Sequence, residues 1–361
     1  MKAVVVHELN RIAVEDVTLD APKAGEVHVK MAACGVCHSD LSVINGTIPM
    51  PLPCVLGHEG AGVVLDVGQG VDNVAPGDHV IMSFVPNCGQ CFHCRRDESH
   101  LCIALPPGGS QLDGTSRLHL NGKDLSAMTS LGNMAEEIVC PAISVVPIGK
   151  EIPFDKAALV GCGVTTGVGA AIKTAKIAPG STVAIFGCGG VGLCVVQGAR
   201  LAGADRIIAV DMVDNKLEMA ASFGATNTVN AASGDPMAVI KELTSGIGVD
   251  YAFEVIGIPS VIQQAYQATR RGGTLTVVGV GKYQDQVGFS ALLLALSGKT
   301  IKGSMYGNVN APVDFPKMLE LDARGKLDLG ALVTKTYSID EAPQAFADLE
   351  SGANARGVIL F

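Results

Sequence analysis

Short apolar runs recur through the first 160 positions, at residues 3–6, 27–31, 62–67, 79–82 and 138–140, each bounded by Gly, Pro or polar residues. Runs of that length between turn formers predict strands, and their number predicts a β-rich, barrel-like domain. Residues 86–110 carry no hydrophobic period, so no core-facing element is expected there. From Thr182 the pattern changes: residues 182–187, 206–211, 226–230, 250–257, 273–281 and 300–306 read as strands, with helical stretches such as 190–202 and 215–223 between them. Strands alternating with helices predict βαβ units and a parallel sheet. Residues 314–327 and 340–349 have the period of amphipathic helices, and 356–361 reads as a closing strand. The expected class is α/β: a β-rich part over the first 160 residues, a parallel-sheet part from about residue 182, then two helices and a closing strand.

Composition narrows this little but excludes much. The chain is 48% hydrophobic, only 17% charged, and carries 44 Gly in 361 residues, about 12% against the usual ~7%. That is too apolar for a disordered chain and suits tight turns and buried parallel strands. A net charge of −9, without a run of five basic residues, leaves no footprint for a phosphate backbone, so nucleic acid is not an expected partner. The longest strongly apolar stretch, residues 287–297, is far short of the ~20 needed to cross a bilayer. The start, Met1-Lys2-Ala3-Val4-Val5-Val6-His7-Glu8, meets charge too early for an export signal. Neither a membrane nor export is expected, and the cytoplasm is the expected compartment.

Gly187-Cys188-Gly189-Gly190-Val191-Gly192 fits GxGxxG between a predicted strand and a predicted helix. The first Gly permits the turn, the second lets the backbone approach a pyrophosphate, and the third packs helix on sheet. Asp211 ends the next strand, where a carboxylate binds the ribose 2′-hydroxyl and repels a 2′-phosphate. The pair predicts a Rossmann domain that takes NAD rather than NADP.

Four of the eleven cysteines stand as Cys88-x2-Cys91-x2-Cys94-x7-Cys102. In a chain without an export signal, such spacing reads as a closed tetrahedral zinc–sulfur site that orders an otherwise coreless segment. His93 lies inside the cluster, but four sulfurs already fill a tetrahedron. A second group is more scattered: Cys37-His38-Ser39-Asp40, Gly57-His58-Glu59, and Cys162 between two glycines. Singly, a buried Cys or His is more often a packing residue. Together they offer two thiolates and an imidazole, the ligand set of a catalytic zinc with one open position.

With these residues in one order, the chain resembles the zinc-dependent medium-chain alcohol dehydrogenases along nearly its whole length. The match is carried by Gly57-His58-Glu59-x2-Gly62-x5-Gly68-x2-Val71, by the segment from Gly35 to Asp40, by the four-cysteine lobe, by Leu159-Val160-Gly161-Cys162-Gly163 and by the glycine fingerprint. The resemblance implies a discontinuous GroES-like catalytic domain over residues 1–163 and 306–361 around a Rossmann NAD-binding domain over 164–305, with the active site in the cleft where they meet. It also implies NAD and two zinc ions per subunit: a catalytic one on Cys37, His58 and Cys162, and a structural one on Cys88, Cys91, Cys94 and Cys102. It implies that Asp40 hydrogen-bonds His58, that Glu59 lies behind the metal, and that Ser39 takes the alcohol proton. His38 and Arg356 would contact the pyrophosphate, and Lys216 the adenosine ribose with Asp211. Thr166 and Val191 would abut the nicotinamide, Val278 and Val280 would line its other side, and Phe84 would line the substrate pocket. The implied reaction is reversible oxidation of an alcohol to an aldehyde or ketone, with hydride transfer to NAD.

Two departures qualify the resemblance. Many relatives carry a His three residues after the relay Ser or Thr; here that position is Ser42, which has no pKa near neutrality. The long segment over residues 103–133, with Asp113-Gly114-Thr115-Ser116-Arg117, resembles the animal-type and formaldehyde-dehydrogenase branch. Yet residues 46–53 contain no acid, and Ile103-Ala104-Leu105-Pro106 contains no Arg to hold a charged thiol adduct. An uncharged, fairly apolar alcohol is therefore expected, with thiol-adduct formaldehyde oxidation as the alternative. A non-enzymatic NAD-binding protein is disfavoured by the complete ligand set. The retained long segment resembles dimeric members, and the strands at 273–281 and 300–306 suggest a homodimer through the sheet, a tetramer being the other possibility.

Overall fold

The computed structural model describes residues 1–361 and divides the chain into two compact units, Met1–Gly163 with Asn310–Phe361, and Val164–Val309. In the first unit the short apolar runs form two sheets. One orders its strands as Arg11–Asp16, Lys2–Glu8, Cys54–Val55, Lys123–Ala127, Leu118–Leu120 and Thr18–Leu19. The other centres on the eleven-residue strand Glu26–Val36, which pairs with Gly60–Val67, Glu137–Pro141 and the closing strand Arg356–Leu360. Its burial pattern is nearly continuous, as expected for a strand covered on both faces. The apolar side chains pack into one cluster around Val29, Met31, Val64 and Ile138, and another around Val36, Leu56, Phe346 and Ile359.

At the start of the central strand a buried ion pair replaces apolar packing. Arg117, almost wholly buried, gives two hydrogen bonds to Glu26 at 2.6 and 2.9 Å and one to Asp113 at 2.9 Å. It ties the start of the central strand to residues 113–117. No strand crosses residues 86–110, which hold only two short 3-10 turns, Cys94–Arg96 and Ser99–Leu101.

The second unit is a six-stranded parallel sheet. In chain order its strands are Thr182–Phe186, Arg206–Asp211, Asn227–Asn230, Val249–Glu254, Thr269–Val277 and Thr300–Gly303, and they lie in the order 3-2-1-4-5-6. That is the doubly wound order, which opens a crevice where it reverses, between the first and fourth strands. The GxGxxG turn follows the first strand and caps the Gly190–Leu201 helix.

Hydrophobic periodicity did not reveal the long helical stretch Phe154–Ala175. It is long and apolar enough to span a bilayer, yet most of it is buried within the protein. Its apolarity comes from Ala, Gly and Val, a composition that serves close helix packing equally well.

Candidate active site and metal centres

The central strand Glu26–Val36 delivers Cys37, which caps the short helix His38–Ile44. Pairing of Cys34 with Gly60 brings His58 and Glu59 alongside. The third sulfur comes from far along the chain: the helix Phe154–Leu159 widens into an i→i+5 turn over Val160–Val164, and Cys162 lies within it. Widened turns of this kind recur at functional sites. The closing strand sets Gly357 opposite Val36 and so carries Arg356 to Glu59, to which its guanidinium is hydrogen-bonded.

One donor atom each from Cys37, His58, Glu59 and Cys162 lies within 4.8 Å of the others, and all four residues are buried. Asp40 organises them. Its Oδ1 accepts the N–H of Gly57 at 2.9 Å and stands 3.3 Å from His58 Nδ1, while its Oδ2 accepts the N–H of Cys37 at 3.2 Å. One carboxylate thus ties both ligand-bearing loops and orients the imidazole. The opposite nitrogen, His58 Nε2, is buried without a hydrogen-bond partner. An orphaned imidazole nitrogen beside two sulfurs suits a tetrahedral ion that prefers N and S ligands, so the donors fit zinc.

Protons are shared unevenly over the cluster. A hydrogen bond from Cys162, with His58 nearby, holds Cys37 well below the usual thiol range, and the same bond pushes Cys162 up. Burial opposes charging His58, but Asp40 and Cys37 outweigh it and push its pKa up. Burial raises Glu59 to about 7 even though Arg356 pulls the other way. The packing is tight enough that a Cβ on Gly35 would sit 2.3 Å from Glu59 Oε2, so only glycine fits. Phe84 stands edge-on to the His58 ring, centroids 5.5 Å apart at 87°.

The four-cysteine lobe is built differently. The N–H of Cys91 points at the Cys88 sulfur and that of Cys94 at the Cys91 sulfur, both at 3.4 Å, as the two-residue spacing dictates. Cys88 and Cys94 sulfurs are 3.9 Å apart, and Cys91 and Cys102 sulfurs 4.0 Å. Four sulfurs at ~2.3 Å from one zinc stand about 3.8 Å apart, so the lobe fits a closed site. N–H groups of Cys94 and Ile103 hold Cys91 down to about 6, whereas burial raises Cys94 to about 12. His93 turns its Nδ1 to Glu98 at 3.1 Å.

In the second unit, Gly187 takes φ +98°, a Cβ on Gly189 would meet nothing, and one on Gly192 would strike the Gly187 carbonyl oxygen at 1.9 Å. The turn therefore presents bare backbone at its second glycine, as a pyrophosphate requires. Asp211 Oδ2 accepts the N–H of Cys188 at 2.8 Å, and Oδ1 those of Met212 and Val213. Oδ2, which accepts a single N–H, keeps a lone pair for a ribose hydroxyl, so these residues fit a dinucleotide. Gly190, Val191, Thr166, Lys216 and Val278 are half-buried in this unit, and Val280 is 60% exposed.

The fold thus brings together Cys37, Asp40, His58, Glu59, Phe84, Cys162 and Arg356. Ser39 is half-buried and His38 exposed at the start of the same short helix. Sequence reasoning missed Asn133. Its backbone N–H bonds Gly57 O at 3.0 Å, and its fully buried carboxamide, without hydrogen-bond partners, presses on Gly60. Nothing in Gly132-Asn133-Met134 signals that position.

Residues 23–150 match the alcohol dehydrogenase GroES-like domain, and residues 190–324 the zinc-binding dehydrogenase domain. The chain is 40% identical to the NDMA-dependent alcohol dehydrogenase of Amycolatopsis methanolica over 99% of this chain and 98% of that one. It is 39% identical to alcohol dehydrogenase B of Mycobacterium tuberculosis, covering 100% of this chain and 98% of that one. Among solved structures, benzyl alcohol dehydrogenase from Acinetobacter calcoaceticus is similar at a TM-score of 0.94 and 33% identity, over 100% of this chain and 99% of the other.

Proposed function

This chain belongs to the zinc-dependent medium-chain alcohol dehydrogenase family, and on that premise we propose that it oxidises an uncharged, fairly apolar alcohol, aliphatic or aromatic, with NAD as hydride acceptor. The observation that carries the reading is the convergence of Cys37, His58 and Cys162 around an unpartnered imidazole nitrogen, with Phe84 edge-on to the ring. Zinc held there would act as a Lewis acid on the alcohol oxygen, and NAD would accept the hydride.

The protein's own groups do the rest. Asp40 fixes the imidazole so that Nε2 faces the sulfurs, and Ser39 holds and passes the alcohol proton. Ser42 stands where many relatives place a titratable imidazole, so the onward route uses hydroxyls and water. Glu59 and Arg356 keep a balanced charge pair against the ligand cluster. Asp211 and Lys216 take the adenosine ribose, the glycine turn and His38 the pyrophosphate, and Thr166, Val191, Val278 and Val280 the nicotinamide. Ile48, Met50 and Leu52 pack against the apolar core near this centre and supply no charge for a thiol adduct.

The partner is a small alcohol or aldehyde, and the assembly a homodimer. The helix Ala291–Ser297 buries none of its residues, leaving Leu292, Leu293 and Leu296 more than half exposed beside the edge strand Thr300–Gly303. An apolar helix next to unpaired strand edge is completed by a second copy about a two-fold axis. Sedimentation of wild type and Leu293→Glu should give a dimer and a monomer.

Initial rates over ethanol, longer primary, benzyl and secondary alcohols, and formaldehyde with and without thiols, each with NAD, test the activity. Thiol-independent oxidation of apolar alcohols that disappears in Cys37→Ala supports the proposal. Turnover only with formaldehyde plus a thiol replaces it with the adduct reading. One relative's name makes NDMA a second acceptor to supply, without added NAD. Turnover with it would mean that bound cofactor is recycled in place.

A further inference from the structure

Glu254 is a carboxyl group with no part in the chemistry above. It ends the strand Val249–Glu254, is fully buried, and stands beside the first strand where the sheet order reverses. Its Oε1 accepts three backbone N–H groups from the segment that follows: Ile256 at 2.9 Å, Gly257 at 2.7 Å and Ile258 at 3.4 Å. Its Oε2 accepts none. Burial raises its pKa against the pull of those bonds.

The segment it holds is a spacer between two parts of the cofactor crevice. On one side Ile256 covers the first fingerprint glycine: a Cβ on Gly187 would lie 2.6 Å from its Cγ1. On the other, backbone meets backbone. A Cβ on Gly279 would sit 2.1 Å from Gly257 N, and one on Gly257 would sit 2.4 Å from the Val280 carbonyl carbon. Val278 and Val280 are the residues assigned to the nicotinamide. Residues 256–258 cannot shift toward residues 279–280 without moving them, since no side chain lies between to absorb the change, and any shift carries the Ile256 side chain across Gly187.

We infer that Glu254 is a positioning residue for the cofactor, its Oε1 fixing residues 256–258 as the spacer between the GxGxxG turn and residues 278–281. The inference rests on the NAD reading given above.

The test uses the zinc-loaded full chain with Glu254→Gln, which keeps the acceptor oxygen, and Glu254→Met, which fills the space without one. The Met variant should weaken NADH binding and raise KM for NAD about tenfold, with kcat at saturating NAD within about twofold, while Gln stays within about threefold of wild type. In cofactor-free enzyme, amide exchange at residues 256–258 should accelerate in the Met variant only. Gly279→Ala, which wedges the same two segments apart with Glu254 intact, should weaken NADH binding similarly and serves if the Met variant does not fold. Wild-type binding by the Met or Gly279→Ala variant, unchanged exchange, or a Gln variant as impaired as Met would overturn the inference alone. A wild-type chain that binds no NADH would overturn the cofactor reading with it.

Discussion

The two candidate metal centres use the same thiol chemistry in opposite settings. The lobe draws four sulfurs from residues 88–102, all half-exposed, and two-residue spacings already aim N–H groups at them. The other centre draws donors from residues 37 to 162, all buried, and needs a strand pairing, a widened helical turn and Asp40 to assemble. A cluster of sequence neighbours closes on its ion and leaves no ligand position. A cluster assembled by packing keeps its shape with only three N/S donors engaged, and so leaves room for substrate. On the proposed reading, the first would spend its metal on order and the second on chemistry.

That contrast breaks most directly at His58. His58→Ala should lower kcat/KM by on the order of a thousandfold or more, with the circular dichroism spectrum unchanged, because it removes the orphaned nitrogen and little of the core. Ser39→Ala should cost about a hundredfold in kcat, read from steady-state rates, with zinc content intact. Asp40→Asn separates orientation from ligation: zinc affinity at this centre, measured by competition with a chelator, should fall about tenfold or more. Cys91→Ser in the lobe should do the reverse of His58→Ala. One zinc per chain is lost and the melting temperature drops on the order of 10 °C, while the folded fraction retains most of its turnover. Equal loss of rate in both variants would erase the distinction.

The smallest expected effect is a control at neither centre. His119 bridges Asp20 at 3.0 Å and Asp124 at 2.9 Å, and its hydrogen bond to Asp20, with that to Asp124, raises its pKa above 6.5. A raised pKa stabilises the fold in full below the unfolded value and is lost as pH climbs through the folded one. Wild type should therefore lose up to about 1 kcal/mol relative to His119→Gln as pH rises from about 6 to 9 in denaturant titrations. The metal-site variants should keep the same slope.

Legibility followed the same divide. The lobe and the GxGxxG turn with Asp211 were readable because their donors and glycines are sequence neighbours whose spacing is their geometry. Cys162 was legible only in company with Cys37 and His58, since alone Gly-Cys-Gly in an apolar run reads as core. Arg356 was named for a pyrophosphate, but nothing local foretold its bond to Glu59, which depends on the register of Gly357 with Val36. Asn133 and Glu254 left no usable signal, because a polar residue in an apolar stretch does not disclose which backbone groups it will meet.

By itself the sequence determined the α/β class, the parallel sheet of the second unit, the grouping of the four sulfurs and the acidic residue that ends the second strand of that sheet. Each of these is written in periods and spacings a few residues long, where backbone geometry leaves one solution. Only the tertiary structure decided that Asp40 would tie two loops, that a π turn would carry Cys162 to His58, and that Glu254 would hold a spacer beside the glycine turn. Those contacts join residues distant in sequence or turn on the path of a loop, and burial and strand register select them only once the core has closed.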